Sequence, residues 1–223
     1  MEKELVMSTY YYKYLKYKKK YLEIGSLENS NIFAKKEGID YDKLIITDEG
    51  KYSITKRKDG EKLLEIIKKE IKITKDKVIT DLTGCIGGDT ILFGLNFKKV
   101  YSIEYNDNNY RALENNIKVY NIKNVKLYHG DSTKIYNWNT DVLYLDPPWG
   151  GINYKDKDSI DLYLGEIRID IFIKEILERE NRPQYFFIKL PRNYNFSRLY
   201  KFKKMYKKIR NYTIRGYNII FIK

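Results

Sequence analysis

Cysteine and histidine are nearly absent from this chain, since Cys85 and His129 are the only residues of these types among 223. A single cysteine cannot form an intramolecular disulfide, which favours a reducing compartment. Zinc sites in proteins are built mainly from cysteine and histidine ligands, and one residue of each type is too few for such a site. We therefore expect no bound metal. Neither a run of about 20 apolar residues nor the apolar core of a signal peptide is present. The sequence therefore predicts a cytoplasmic protein with no membrane partner.

Acidic residues are scarcer than basic ones, with 30 Asp and Glu against 43 Lys and Arg and a formal net charge of +13. This excess favours a polyanionic partner, because lysine and arginine bind phosphates and release counterions. The alternative is that the lysines and the 23 tyrosines reflect an AT-rich genome. Both residue types are concentrated in residues 9–23, where the spacing predicts an amphipathic basic helix. That helix would lie on RNA or pack one face against the main domain.

The chain is predicted to consist of a small helical extension, residues 1–57, and a main domain, residues 58–223. A short helix is expected at residues 32–36, and a loop with a short strand over residues 41–55. Apolar residues between Leu63 and Ile71 recur at helical spacing and predict a helix.

From Lys77 onward, short apolar runs alternate with helical patterns, which is typical of βαβ units in a mostly parallel sheet. The predicted strands cover residues 78–82, 100–104, 125–128, 142–145 and 185–188. The predicted helices between them cover residues 90–95, 108–120 and 162–179. Two further strand-like runs, residues 205–214 and 217–222, meet at Arg215-Gly216 and predict an antiparallel hairpin.

A glycine-rich turn follows the first predicted strand and reads DLTGCIGGDT from Asp81 to Thr90. Glycines let the backbone approach a ligand, and the N–H groups at the start of the next helix bind anions. The dinucleotide pattern GxGxxG is not met, so this signal alone does not specify the cofactor. The candidate cofactor-binding residues here are Asp81, Thr83, Gly84, Gly87, Asp89 and Thr90.

Two more acidic residues follow the next strands of the predicted sheet. Glu104 ends the second strand about 20 residues beyond the glycine turn, where a carboxylate can accept both hydroxyls of an adenosine ribose. Asp131 follows the third strand and is placed to reach an adenine amine. Because ligands bind at the carboxyl ends of the strands in a doubly wound sheet, we expect both to face one adenosine. His129 is interpreted as structural.

The strongest signal is Asp146-Pro147-Pro148-Trp149-Gly150-Gly151, directly after the fourth strand. Two prolines remove two N–H donors, so their carbonyls and the Asp146 carboxylate present acceptors only. The exocyclic amine of a nucleobase needs such acceptors, which orient its nitrogen toward an activated methyl group. Trp149 offers a wide face for stacking and for cation–π contact. We predict Asp146, Pro147 and Trp149 as catalytic residues, with Asp146 also contacting the cofactor.

This block resembles that of the trimethylguanosine synthases, which methylate N2 of the 7-methylguanosine cap of RNA. Gly87-Gly88-Asp89-Thr90 is similar to the family's Gly-Gly-Asn-Thr turn, Leu190-Pro191-Arg192-Asn193 to its Leu-Pro-Arg-Asn segment, and residues 48–55 to its extension element. The resemblance covers residues 33–195. It implies an α/β fold of the Rossmann-like class I methyltransferases, with a mostly parallel seven-stranded sheet, a C-terminal antiparallel hairpin and a small helical N-terminal extension.

The resemblance also implies a cofactor, S-adenosyl-L-methionine, and roles for individual residues. Trp149 would stack on the cationic methylated guanine, and Arg192 would hold cap phosphates. The implied substrate-binding residues are Trp149, Asn153, Arg192 and Asn193, and the residues implied to close over the cofactor are Ser53 and Thr55. Two positions depart from the family, because Cys85 stands where glycine is usual and Asp146 where cellular members often have serine.

These features predict an enzyme that transfers methyl to N2 of 7-methylguanosine in the cap of an RNA, acting as a monomer on capped RNA. Two alternatives stay open. One is guanine-N2 methylation of ribosomal RNA, although those enzymes usually carry Phe or Tyr at the aromatic position. The other is an inactive module that binds capped RNA or a partner enzyme. The basic, tyrosine-rich start resembles that of large-virus proteins, which would place the enzyme in the host cytoplasm.

Overall fold

The computed structural model describes residues 29–223, apart from the side chains of residues 152 and 153. The basic helix predicted over residues 9–23 lies outside the described residues, and so does the side chain of Asn153. Residues 29–32 are helical, so the short helix predicted at residues 32–36 is misplaced. Beyond the end of this helix, the Ala34 carbonyl accepts hydrogen bonds from the phenol groups of Tyr41 and Tyr120.

A seven-stranded sheet forms the centre of the described chain. The strands are β1 (Val78–Asp81), β2 (Lys99–Glu104), β3 (Val125–His129), β4 (Val142–Leu145), β5 (Tyr163–Leu164), β6 (Ile167–Arg168), β7 (Tyr185–Pro191), β8 (Ile209–Ile214) and β9 (Tyr217–Ile222). β5 and β6 form a separate hairpin, and the others lie in the order β3-β2-β1-β4-β7-β9-β8. Strands are parallel as far as β7, whereas β9 is antiparallel to β7 and β8. This confirms the predicted Rossmann-like α/β fold with its C-terminal antiparallel hairpin.

Helices connect the strands and cover both faces of the sheet. They are α1 (Asp48–Ser53), α2 (Arg57–Glu70), α3 (Gly88–Asn96), α4 (Asp107–Val119), α5 (Ser132–Ile135), α6 (Ile169–Leu177) and α7 (Ser197–Tyr200). The two helices that follow β2 and β3 are capped by side chains at their N-termini. The Asn106 side chain accepts a hydrogen bond from the Asn109 N–H at the start of α4, and the Asp131 side chain accepts one from the Thr133 N–H at the start of α5. Among the helices of residues 29–223, none is long and apolar enough to cross a membrane.

Alternate residues of the central strands pack on opposite helical layers. In β4, Val142 and Tyr144 pack with α2 and α3, whereas Leu143 and Leu145 pack with α6. All four residues are buried. Strands buried on both faces are apolar throughout, as is typical of parallel sheets, and this explains why the sequence predicts their positions closely.

Three predictions for connecting segments are wrong. Residues 41–55, expected as a loop with a short strand, contain a 3₁₀ turn and α1, whose first turn is capped by Thr47. The helix expected over residues 162–179 begins only at Ile169, because Gly165 turns the chain between β5 and β6 at a φ of +59°, which favours glycine. The strand expected from Met205 begins at Ile209, since residues 203–205 form a 3₁₀ turn.

The residues that precede α2 pack directly on the glycine-rich turn. Phe33 and Ile54 are buried in one apolar cluster with Ile86 of that turn. The approach is close, because a Cβ atom on Gly88 would lie 2.6 Å from Ile54 Cγ1. The extension therefore forms one wall of the region at the carboxyl ends of the strands. The domain boundary at residues 57 and 58, which falls in the first turn of α2, stays a prediction.

Candidate active site

The predicted residues Asp81 and Glu104 end neighbouring parallel strands, and Asp146 follows the end of β4. The hydroxyl of Thr83, in the glycine turn, accepts a hydrogen bond of 2.9 Å from the Asp146 N–H. The loop after β1 and the loop after β4 are thereby joined. This places the predicted cofactor turn and the predicted catalytic loop side by side.

A cavity of about 610 Å³ opens beside this junction. Its walls include five of the predicted site residues: Ser53, Thr55, Asp146, Pro147 and Trp149. The walls also contain Lys56, Tyr154, Lys155, Lys189 and Tyr217, which the sequence reasoning did not single out. The remaining predicted residues whose side chains are described do not line this cavity.

Lys189 is the functional candidate that sequence reasoning missed. It lies inside β7, is 5% exposed, and its Nζ donates to Asp146 Oδ2 at 2.6 Å and to Thr55 Oγ1 at 2.9 Å. The available signal was a lysine within an otherwise apolar strand, YFFIKLP. A lysine is almost never fully buried unless it is paired, so this position predicts a buried carboxylate partner.

The network continues from Thr55 to the first turn of α3. Asp89 Oδ2 accepts hydrogen bonds from Thr55 Oγ1 at 2.7 Å and from Tyr144 OH at 2.8 Å. Asp89 Oδ1 is buried and has no hydrogen-bond partner within residues 29–223. The extension, α3, β4 and β7 are therefore linked by buried polar groups at the wall of the cavity.

Trp149 is half-buried and is surrounded by aromatic rings. Its ring lies 5.2 Å from that of Tyr154, edge to face, and 6.1 Å from that of Tyr217. Lys189 Nζ lies 5.5 Å from the Trp149 ring centroid. Trp149 and Tyr154 also line a second cavity of about 310 Å³. The indole therefore contributes to the walls of both cavities, while its Nε1 is buried without a hydrogen-bond partner among residues 29–223.

Asp81 and Glu104 are held by hydrogen bonds inside the protein. Asp81 accepts from Thr90 Oγ1 at 2.6 Å and from the Thr83 N–H at 3.1 Å, and it is fully buried. Glu104 is 8% exposed and accepts from the N–H groups of Cys85 and Asn106, each at 2.7 Å. These bonds fix the glycine turn against the end of β2.

The glycine turn needs left-handed backbone at two positions. Gly87 has a φ of +99° and Cys85 a φ of +48°. Only glycine adopts such values freely, which accounts for the glycine usual in the resembled family at the position of Cys85. Gly84 is required for another reason, because a Cβ atom there would lie 2.9 Å from Leu113 Cδ2. Both glycines are explained by the turn and its packing.

Asp131 caps α5 and lies close to the β5–β6 hairpin. Its Oδ1 accepts from the N–H of Thr133 and from its hydroxyl. Burial tends to raise the pKa of Asp131, but these bonds and Lys134 outweigh it and lower the pKa. A Cβ atom on Gly165 would lie 3.3 Å from Asp131 Oδ2, and Gly165 also lines the 310 Å³ cavity.

The two predicted phosphate-side residues have partners of their own. The exposed Arg192 guanidinium donates to the Arg215 carbonyl. Asn193 Nδ2 donates to the carbonyls of Tyr154 and Lys157, both at 2.7 Å. Asn193 therefore holds the segment that follows the Pro-Pro-Trp block, and its role toward a ligand stays a prediction, as does that of Arg192.

Three carboxyl groups of this region have raised pKa values, and burial is the largest cause of each shift. The pKa of Asp81 rises to about 7, that of Asp146 to about 6, and that of Glu104 above its ordinary value. Neighbouring carboxylates contribute, with Asp89 acting on Asp81 and Asp146, and Glu49 on Glu104. Burial therefore disfavours the charged forms of these carboxyl groups, and a cation bound beside them would favour those forms. Within the described part of the chain, no cluster of His, Cys, Asp and Glu could hold a metal ion.

Solved structures of several methyltransferases have this fold. A T. thermophilus 16S rRNA N2 methyltransferase, solved with AdoMet and guanosine, has a TM-score of 0.58 and 15% identity, covering 74% of this chain and 42% of its own. A precorrin-6y C5,15-methyltransferase from Geobacter metallireducens has a TM-score of 0.57 and 14% identity, covering 83% of this chain and 96% of its own. A dimethyladenosine transferase from Plasmodium falciparum has a TM-score of 0.55 and 14% identity, covering 72% of this chain and 60% of its own. At such identities the likeness establishes the methyltransferase fold alone.

A viral protein is similar in sequence. An uncharacterized protein of Acanthamoeba polyphaga mimivirus is 32% identical over 153 residues, which are 67% of this chain and 59% of that protein. The chain thus spans less than two thirds of the length of this relative. The match agrees with the resemblance to large-virus proteins.

The family comparison covers most of the sheet. A family model described as RNA cap guanine-N2 methyltransferase matches residues 75–219. This range is more than half of the chain and runs from just before β1 into β9. It contains the glycine turn, the Asp146–Trp149 block and Lys189. The chain belongs to the RNA cap guanine-N2 methyltransferase family.

Proposed function

We propose that this protein transfers the methyl group of S-adenosylmethionine to the exocyclic N2 of 7-methylguanosine in the 5′ cap of an RNA. One observation carries the proposal: a single cavity of about 610 Å³ is lined by Asp146, Pro147 and Trp149. An acceptor-only edge and an indole face in one cavity match the amine and the cationic ring of 7-methylguanine. The family membership of the chain supports the same substrate class.

The Asp146 loop supplies acceptors for the amine. Lys189 occupies Asp146 Oδ2, which leaves Oδ1 to accept an N–H of the base. Pro147 and Pro148 have no N–H, so the loop offers no competing backbone donor at these positions. With a pKa of about 6, Asp146 is mostly ionised at pH 7.5 and acts as an acceptor rather than a donor. Holding the amine in this way fixes the direction from which its nitrogen reacts.

The aromatic wall supplies selectivity for a charged purine. Methylation at N7 gives guanine a delocalised positive charge, which an indole face binds more strongly than a neutral ring. Tyr154 and Tyr217 flank Trp149 and limit the orientations of the indole. Lys56 and Lys155 line the same cavity and would bind cap phosphates. Arg192 joins them by resemblance to the family.

The residues around the glycine turn fit S-adenosylmethionine, which supplies an activated methyl group on a sulfonium when bound. Glu104 would accept the ribose hydroxyls with its remaining lone pairs, and Asp131 would accept the adenine amine. Asp81, through Thr83 and Thr90, holds the turn in shape. Burial raises the pKa values of Asp81, Asp146 and Glu104, and a positively charged group bound at this end of the sheet would favour their ionised forms.

A methyl-transfer assay on matched RNAs tests the proposal. One RNA sequence is prepared with a 7-methylguanosine cap, with an unmethylated guanosine cap and with a 5′ triphosphate, and ribosomal RNA is offered separately. We expect labelled methyl to enter only the 7-methylguanosine-capped RNA, and digestion should locate it on N2 of the cap. Incorporation into ribosomal RNA, or equally into all three ends, would contradict the cap assignment. Failure to bind S-adenosylmethionine in calorimetry would favour a binding module.

A further inference from the structure

The lysine inside β7 is unusual because the titratable groups that act on it are two carboxyl groups, Asp146 and Asp89, and the thiol of Cys85. The titratable groups that act on Asp146 come from β1, the glycine turn, α3, β4, β7 and β9. They are Asp81, Cys85, Asp89, Tyr144, Lys189 and Tyr217. Lys189 is the one cation in this set. Each of the other five groups is either neutral or opposes a negative charge on Asp146.

The contacts of Lys189 reach both sides of the cavity. One hydrogen bond goes to Asp146 in the loop after β4 and another to Thr55 in the extension. Its ammonium also lies 5.5 Å from the ring centroid of Trp149 and 5.0 Å from that of Tyr217. The Lys189 ammonium group thus contacts the Asp146 carboxylate, the extension and the aromatic wall. Truncation of the Lys189 side chain would remove all three contacts.

We propose that Lys189 is a positioning residue for methyl transfer, which keeps Asp146 ionised and aims its carboxylate into the cavity. This inference rests on the proposed function, because it gives Asp146 the task of accepting the N–H of a base. An ion pair 2.6 Å long lowers the pKa of its carboxylate. Burial and Asp89 act in the opposite direction. Without Lys189, no other charge in this set would counter them, and the indole of Trp149, which also lowers the pKa of Asp146, would act alone. The pKa of Asp146 would therefore rise further.

The rate of methyl transfer as a function of pH tests the proposal with Lys189→Met, whose side chain keeps similar length and loses the charge. The acid limb of the profile should move upward by about 1–3 pH units, because removal of an adjacent opposite charge shifts a carboxyl pKa by that amount. Activity should recover as the pH rises past the new midpoint. Lys174→Met is the matched control, since Lys174 pairs with Glu178 on the surface of α6. Its profile should equal that of the wild type.

A stability measurement separates this inference from the proposed function. Thermal unfolding of Lys189→Met, relative to wild type, should be worse at pH 8 than at pH 5, because the variant buries an unpaired carboxylate only when Asp146 is ionised. The double variant Asp146→Asn/Lys189→Met should lose this pH dependence. If the wild type methylates no guanine substrate, the proposed function fails, while these unfolding curves still decide whether Lys189 controls Asp146. An unchanged rate midpoint, or a stability loss equal at both pH values, overturns the inference.

Discussion

Replacement of Trp149 by alanine is the perturbation whose effect follows most directly from the geometry. The indole lines the 610 Å³ cavity and packs against Tyr154 and Tyr217. Stacking of a base on an aromatic side chain contributes about 1–3 kcal/mol. At about 1.4 kcal/mol per tenfold change in affinity, Trp149→Ala should weaken 7-methyl-GTP binding roughly 5- to 150-fold. Affinity for S-adenosylmethionine should change less than about threefold, since the indole is assigned to the base and makes no proposed contact with the cofactor.

Tryptophan fluorescence and calorimetry measure the two affinities. Because Trp149 and Trp138 are the only tryptophans of the chain, the variant Trp138→Phe leaves Trp149 as the sole reporter. We expect 7-methyl-GTP to quench its emission.

Trp138→Ala is the control for lost packing, because Trp138 stacks on Tyr128 at 4.5 Å and bonds Thr80 outside the cavity. This variant should lose stability but keep cap affinity. If Trp149→Ala weakened cofactor and cap binding equally, Trp149 would be a core residue and the stacking argument would be refuted.

The remaining predictions concern the fold around the site. Burial tends to raise the pKa of Glu70, but bonds from Lys208, Tyr212 and Arg210 outweigh it and lower the pKa to about 2. A lowered carboxyl pKa stabilises the protein above the ordinary value of 4.5, and this stabilisation is lost between pH 4.5 and about 2. Glu70→Gln should therefore lower the free energy of unfolding at pH 7 by about 1–3 kcal/mol, as measured by denaturant titration. The difference in unfolding free energy between variant and wild type should shrink as the pH falls toward 2, and a constant difference would contradict the prediction. Gly88→Ala should lower the free energy of unfolding by about 1–3 kcal/mol, because the new Cβ atom would collide with Ile54. Gly216→Ala is the control and should leave stability nearly unchanged, since no atom lies within 4 Å of a Cβ atom there. Equal melting temperatures for the two variants would disprove the close approach of the extension.

The sequence predicted the sheet well because its central strands are buried on both faces. Residues 142–145 form an unbroken apolar run, and the structure has β4 over the same residues. The hairpin of β5 and β6 was missed because the apolar residues around it also fit a helical period. Only Gly165, with its positive φ, marks the turn. Similarly, α1 contains Gly50, which disfavours a helix by propensity but is needed where the helix approaches Ile86.

The site was predicted in part, and the missing part depends on contacts between distant segments. The Asp146 block can be recognised from four consecutive residues, because two adjacent prolines followed by a tryptophan are a distinctive local sequence. Lys189 does not, because its partners lie 43 and 134 residues away along the chain. The positive φ of Cys85 was equally hidden, since a cysteine gives no local sign of left-handed backbone.

Discrimination between 7-methyl-GTP and GTP as methyl acceptors tests the central claim most directly. The two nucleotides differ in the charge and the methyl group of the purine ring, so their kcat/KM ratio isolates the contribution of the Trp149 face. A cation–π contact in a partly desolvated site contributes about 2 kcal/mol, which corresponds to roughly a 30-fold preference for 7-methyl-GTP. The account predicts a ratio of this order, lost in Trp149→Ala. Equal kcat/KM values for the two nucleotides in the wild type would contradict it.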